Sequence, residues 1–153
     1  MATQVDVGRH HGSTIALLEG LGHHAHWLPR AGFAGVFLFH GVEKFIGGIG
    51  GFASMMGLPL TIAALVALAE VFAGAAVLAG GGLRGPVGDW VTRLAGLACV
   101  PVMLGAIFMV HWGQWHFMAT ETHPMGGMEF QVVLLLLGLY FAARGNRNAH
   151  AAS

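Results

Sequence analysis

Charge is what this sequence has least of: Lys and Arg number seven, Asp and Glu seven, and together they make up 9% of its 153 residues. With no excess of either sign there is no cationic surface to hold a phosphate backbone, which excludes nucleic acid as a partner. Cysteine is almost missing as well. The one cysteine, Cys99, falls inside an apolar run, so an internal disulfide and zinc sites built on paired cysteines are ruled out. There is no CxxCH for covalent haem, no GxGxxG opening a helix after a strand and no phosphate-binding loop. The opening stretch MATQVDVGRHHGSTIALLEGLG has neither the apolar run nor the small-residue cleavage pattern of a signal peptide. Membrane insertion is therefore expected to rely on the first spanning helix. What remains is apolar: 56% of residues are hydrophobic and the mean hydropathy is +0.69, the composition of a membrane protein.

Four segments are apolar enough and long enough to cross a bilayer core, which takes about 20 helical residues, the last being a little short. They fall at 28–46, 60–79, 90–112 and 128–143. Glycine-rich and proline-containing stretches separate them: Gly47, Gly48, Gly50 and Gly51 with Pro59, then GGGLRGPVGD, then THPMGG. The expected fold is an all-α, polytopic membrane four-helix bundle over 28–144. A short N-terminal interfacial segment, 1–27, precedes it and a tail, 145–153, follows. In the N-terminal segment, STIALLEGLGHHAHW reads as an amphipathic helix weakened by Gly20 and Gly22. Its His23, His24 and His26 are spaced so that the rings scatter around a helix, which reads as interfacial polarity before metal binding.

Basic residues are distributed unevenly. Arg9 precedes the first span and Arg30 opens it, Arg84 and Arg93 flank the second connection, and Arg144 and Arg147 follow the fourth span, while the other two connections contain no Lys or Arg. By the positive-inside rule both termini face the cytoplasm of a bacterial inner membrane, with Trp112, Trp115 and Phe117 as an aromatic girdle at the outer interface.

Several ionisable residues fall inside this apolar frame. In FLFHGVEKFIGG, offsets of three and four residues place His40, Glu43 and Lys44 on one side of a helix, which should face the bundle and not lipid. A rise of about 1.5 Å per residue puts His40 roughly 9 Å below the outer end of its span, with Glu43 and Lys44 shallow enough to snorkel outward. Glu70 lies roughly 15 Å into the second span, near the middle of the bilayer. Ala63, Ala67 and Gly74 share its side, a small-residue surface where helices approach, so Glu70 faces protein and should be protonated or paired with Lys44 or His40. In VHWGQWHF, helical spacing joins His111, Gln114 and Trp115, and His116, Glu121, His123 and Glu129 belong to the same outer rim.

This rim admits a metal reading, with His40, Glu43, His111 and Glu129 as ligands, or a b-type haem between His40 and His111. The methionines gathered toward the outer half could suit copper, but their spacing is irregular and thioethers are ordinary membrane packing. The plainer reading makes the loop residues solvated polar groups and leaves Glu70 in a structural ion pair.

RAGFAGVFLFHGVEKF, the GLP at 57–59, EVFAGAAVLAGG and Arg93 before the third span together resemble the DoxX family of small four-helix bacterial membrane proteins. Arg30, Gly41, Lys44 and Glu70 fill that family's positions. The resemblance implies a membrane subunit of a quinone-linked oxidoreductase, of the thiosulfate:quinone or thiol and oxidative-stress type. The leading reading of the residues within it is a quinone or proton-transfer site in the outer half of the bundle, with a protein partner that supplies electrons and a homo-oligomer as another expected assembly. On that reading Glu70 and His40 exchange protons and Lys44 holds Glu70 or the quinone oxygen, while Trp112, Trp115 and Arg30 contact the cofactor. A non-catalytic membrane anchor for a redox partner is the structural alternative.

Overall fold

Glycines at the corners set the path of the chain. The structure, a computed structural model, describes residues 24–146 together with Gly20 and Gly22. Arg9, His23, Arg147 and most of the expected interfacial helix lie outside the described residues. Helix α1, Trp27–Ile46, carries Pro29 in its first turn, where no intrahelical N–H is required. At Gly48, with φ of 87°, the chain turns into a short helix α2, Ile49–Met56, whose axis is bent by 103° from α1. Gly57, with φ of 62°, closes α2 in a Schellman motif: Leu58 N–H donates to Ala53 O at 2.9 Å and Gly57 N–H to Ser54 O at 3.4 Å. The glycine-rich stretch read above as a simple break thus holds a helix, because FASMM supplies a continuous helical run between two glycine corners.

Helix α3, Leu60–Gly82, follows Pro59, and α4, Gly85–Ala106, begins five residues before the expected Trp90, with Pro86 in its first turn. Helix α4 continues as a wider π-helical turn, Ile107–His111. A loop then leads to α5, Glu129–Arg144. Among the described residues there is no strand, and the protein is an all-α membrane bundle. Helix α3, and α4 with its π turn, are long and apolar enough to cross a bilayer; α1 with α2 forms a third candidate as a bent pair. The 16 residues of α5 reach about 24 Å, short of a hydrocarbon core about 30 Å thick.

Packing is small-inside and large-outside, as membranes select. Ala63, Ala67, Ala73 and Gly74 of α3 are buried, while Leu65, Leu68 and Phe72 of the same helix are exposed, as are Leu94 and Leu97 of α4. Helix α3 packs along both α1 and α4, and α4 along α5, whereas α1 and α5 meet only briefly. Arg30, Arg84, Arg93 and Arg144 gather at one end of the bundle, and His40, Glu43, Lys44 and His111 at the other. At the arginine end Asn146 is the hub. Its Nδ2 donates to Gly80 O at 2.7 Å and Leu83 O at 3.0 Å, and its Oδ1 accepts from Arg30 at 2.7 Å.

Candidate functional site

The brief meeting of α1 and α5 determines where the bundle is hollow. Near the arginine end the seam is shut: Phe33 meets Phe141 edge-on at 5.4 Å between ring centroids, and the Arg30 guanidinium lies 5.3 Å from the Phe141 ring. Toward the other end a cavity of about 530 Å³ opens, walled by α1 and α3 on one side and by α4, its π turn and α5 on the other, with α2 across it. Its lining is mostly apolar, including Phe37, Val66, Val102, Met103 and Leu134, and the polar groups fall on two opposed walls.

On the α1–α3 wall Lys44 Nζ donates to Glu70 Oε2 at 2.7 Å. Gly41 makes this possible: a Cβ there would come within 2.8 Å of Val71 and 3.0 Å of Glu70, so only glycine lets α1 lie this close to α3. Glu70, which sits deep within α3, is thereby level with Gly41, little more than a turn from the end of α1. Lys44 therefore does not snorkel outward. It turns inward, donates also to His40 O at 3.2 Å, and holds its ammonium 4.9 Å from the Phe52 ring centroid of α2. Ordering one lysine among a carboxylate, a helix carbonyl and an aromatic face offsets the cost of taking the two charges out of water. His40 and Glu43 form an exposed pair at the cavity mouth, Nδ1 to Oε2 at 3.6 Å.

The facing wall is built by the π turn. One extra residue in that turn rotates His111 inward, where it is buried, and the helix ends there because Trp112 is extended. Gly126 O lies 2.9 Å from His111 Nδ1, and a carbonyl only accepts, so Nδ1–H donates. His111 Nε2 is then the acceptor for the Gln131 Nε2 amide at 2.9 Å. Gln131, on α5, lines the cavity, and its Oε1 is buried with no hydrogen-bond partner among the described residues. Sequence reasoning passed over Gln131, although an amide amid FQVVLLLLG is a visible signal.

The helical side expected from VHWGQWHF does not form. Gly113, with φ of 96°, turns the chain away, so His111 and Gln114 are buried while Trp115 is exposed. Gln114 instead organises the loop, donating to His116 O at 3.0 Å and Met118 O at 2.7 Å and accepting from Thr120 at 2.7 Å. Trp112 and Trp115, the expected ring-stacking residues, lie outside the cavity, with Trp112 tilted against Phe108 at 5.0 Å. Arg30 stands at the opposite end, ten residues or about 15 Å along α1 from His40, where Asn146 and His26 hold it.

The four residues of the metal reading are not drawn together. His40 pairs with Glu43, both ring nitrogens of His111 are engaged, and the Glu129 carboxylate accepts from Phe117 N–H at 3.3 Å. Among the described residues no three His, Cys, Asp or Glu side chains lie where they could hold a metal ion.

Comparison with known proteins agrees with this architecture. The DoxX family profile matches residues 26–112. A protein of Bacillus subtilis (strain 168) named "Putative oxidoreductase CatD" is 30% identical over 114 residues, 73% of this chain and 72% of its own length. No solved structure matches. The chain belongs to the DoxX family.

Proposed function

We propose that this DoxX-family chain is the membrane subunit of a quinone-linked oxidoreductase and that its cavity receives a quinone head group. The observation that carries this reading is the Lys44–Glu70 pair, a buried donor and carboxylate on the wall of an otherwise apolar cavity. A quinone suits those surroundings. Its ring and tail are apolar, its oxygens need donors, and the cavity volume of about 530 Å³ falls in the range of small-molecule sites. The seam that α1 and α5 leave open beside the cavity offers such a molecule a route in from the hydrocarbon. The oxidoreductase named among its relatives supports the class of chemistry.

When bound, a quinone supplies a carrier of two electrons and two protons. The chain's own residues do the rest. Lys44 uses two of its three N–H groups on Glu70 and His40 O, leaving the third for a ligand oxygen. Glu70 is the buried proton carrier, and Lys44 holds its carboxylate in place. His40, half-exposed beside Glu43 at the mouth, passes protons between this wall and the outer water. Electrons come from a partner protein. On this reading the arginine-rich end lies toward the cytoplasm by the positive-inside rule, and the cavity toward the outer face of a bacterial inner membrane.

The test is binding of decylubiquinone to the purified protein in detergent. Saturable binding is expected, and Glu70→Gln and Lys44→Met should each weaken it at least about tenfold, the loss of one buried polar contact. In the assembled complex, Glu70→Gln should abolish turnover while the complex is still recovered. No binding to the wild-type protein would refute the proposal, and full turnover with Glu70→Gln would reduce the chain to an anchor.

A further inference from the structure

The cavity has a polar group on each of its two walls, and the quinone reading above uses only one of them. On the second wall His111 is fixed at both nitrogens, by Gly126 O at 2.9 Å and by the Gln131 amide at 2.9 Å. The loop that presents Gly126 O is itself closely built. Gly126 N–H donates to His123 O at 2.9 Å, Gly127 N–H to His116 O at 3.0 Å, and a Cβ at Gly126 would collide with Phe117 O. This rigid chain of contacts ends at one flexible group, the Gln131 amide. It retains one N–H not spent on His111 and a carbonyl oxygen with no partner among the described residues. A buried amide oxygen left unmade is costly, and a native structure keeps one where something else supplies the missing bond.

We infer that Gln131 is a second ligand anchor, positioned by His111, and that the cavity holds a 1,4-quinone by both of its oxygens, Lys44 taking one and Gln131 the other. This rests on the quinone reading and sharpens it. The two oxygens of a 1,4-quinone project from opposite edges of the ring, so a site that fixes the ring needs polar groups on opposed walls. The primary amide adds something that Lys44 cannot. Lysine only donates, whereas an amide donates to a carbonyl oxygen and accepts from a hydroxyl, so Gln131 serves both the quinone and the quinol. His111 acts through Gln131: with Nδ1–H committed to Gly126 O, its Nε2 must accept, and this orients the amide.

Infrared difference spectroscopy of bound quinone, ¹³C-labelled at one ring carbonyl or the other, tests this without any electron donor. In the wild-type protein both carbonyl bands should lie below their positions in detergent alone. Gln131→Leu should return one labelled band to the detergent position and leave the other, and Lys44→Met should do the reverse. Gln131→Glu, which keeps the shape and loses the N–H, should release the same band as Gln131→Leu. His111→Phe should broaden that band and spare the one held by Lys44. Protection of Cys99 from a thiol reagent, in a bundle where that side chain is fully buried, certifies that each variant is folded. Bound quinone whose bands ignore Gln131, or shift at the same carbonyl as with Lys44→Met, overturns the second anchor alone. Failure of the wild-type protein to bind any quinone overturns the parent reading.

Discussion

Separating Lys44 from Glu70 tests whether the cavity end of the bundle depends on their pairing. Side-chain exposure is 15% for Lys44 and 7% for Glu70, so water screens neither charge well. Removing one partner of such a pair costs about 3–5 kcal/mol, whereas replacing both by apolar side chains of similar volume is close to neutral. The two single changes should also differ. Glu70→Gln leaves an ammonium that keeps His40 O at 3.2 Å and the Phe52 ring at 4.9 Å, and should cost about 1–3 kcal/mol. Lys44→Met leaves a carboxylate with no other hydrogen-bond partner among the described residues, and should cost about 3–5 kcal/mol. At about 2–4 °C per kcal/mol for a chain of this size, the Lys44→Met midpoint should fall by roughly 6–20 °C. The double variant Lys44→Met/Glu70→Leu should recover most of that loss. Cys99 provides the assay, because the sole cysteine is fully buried and a thiol-reactive fluorophore reports it only as the bundle opens. If the double variant loses the sum of the losses in Lys44→Met and in Glu70→Leu alone, the side chains are uncoupled and the argument for a built pair fails.

Other substitutions probe the frame around the cavity. A Cβ at Gly96 would run into Gly138 O and lie 2.5 Å from Ala142 N, so Gly96→Ala should cost at least about 1–3 kcal/mol by forcing α4 from α5. Gly35, with nothing within 4 Å, is the matched control and should tolerate alanine in the same melting assay. Asn146→Ala removes the bonds to Arg30, Gly80 O and Leu83 O and should cost about 2–4 kcal/mol; an unchanged midpoint would show that the arginine end needs no such clasp. Trp112→Ala and Trp115→Ala should leave quinone affinity unchanged, since both rings lie outside the cavity. A large loss in either would mean that the ligand reaches beyond it.

How much of this was legible in the sequence depended on whether local periodicity survived. On α3 it did. Ala63, Ala67, Glu70 and Gly74 share one face because the helix is regular for 23 residues, and that face is buried. Lys44 belonged with Glu70 in principle, but its inward turn depends on Gly41 and on the ring of Phe52, contacts between elements that spacing cannot express. At the end of α4 periodicity misled. The π turn adds a residue to the repeat and Gly113 then breaks it, so a pattern read with a period of 3.6 placed His111 beside Trp115 and missed its partner Gln131. Helix α2 was hidden for a third reason, because four glycines between 47 and 51 outweighed the short apolar run that follows them.

The two walls of the cavity also differ in how far the family reaches. Residues 26–112, which the family profile spans, contain the whole Lys44–Glu70 wall and the π turn ending in His111. Gly126 and Gln131, which fix His111 and complete the second wall, lie beyond it. A buried ion pair is a poor discriminator among ligands, since one lysine N–H can meet almost any oxygen. An amide aimed from a separate helix is a better one, because it imposes a distance and a direction on the far end of whatever the lysine holds. Differences in ligand between this chain and its relatives should accordingly track the residue at the Gln131 position and the loop that orients it, with the ion pair unchanged.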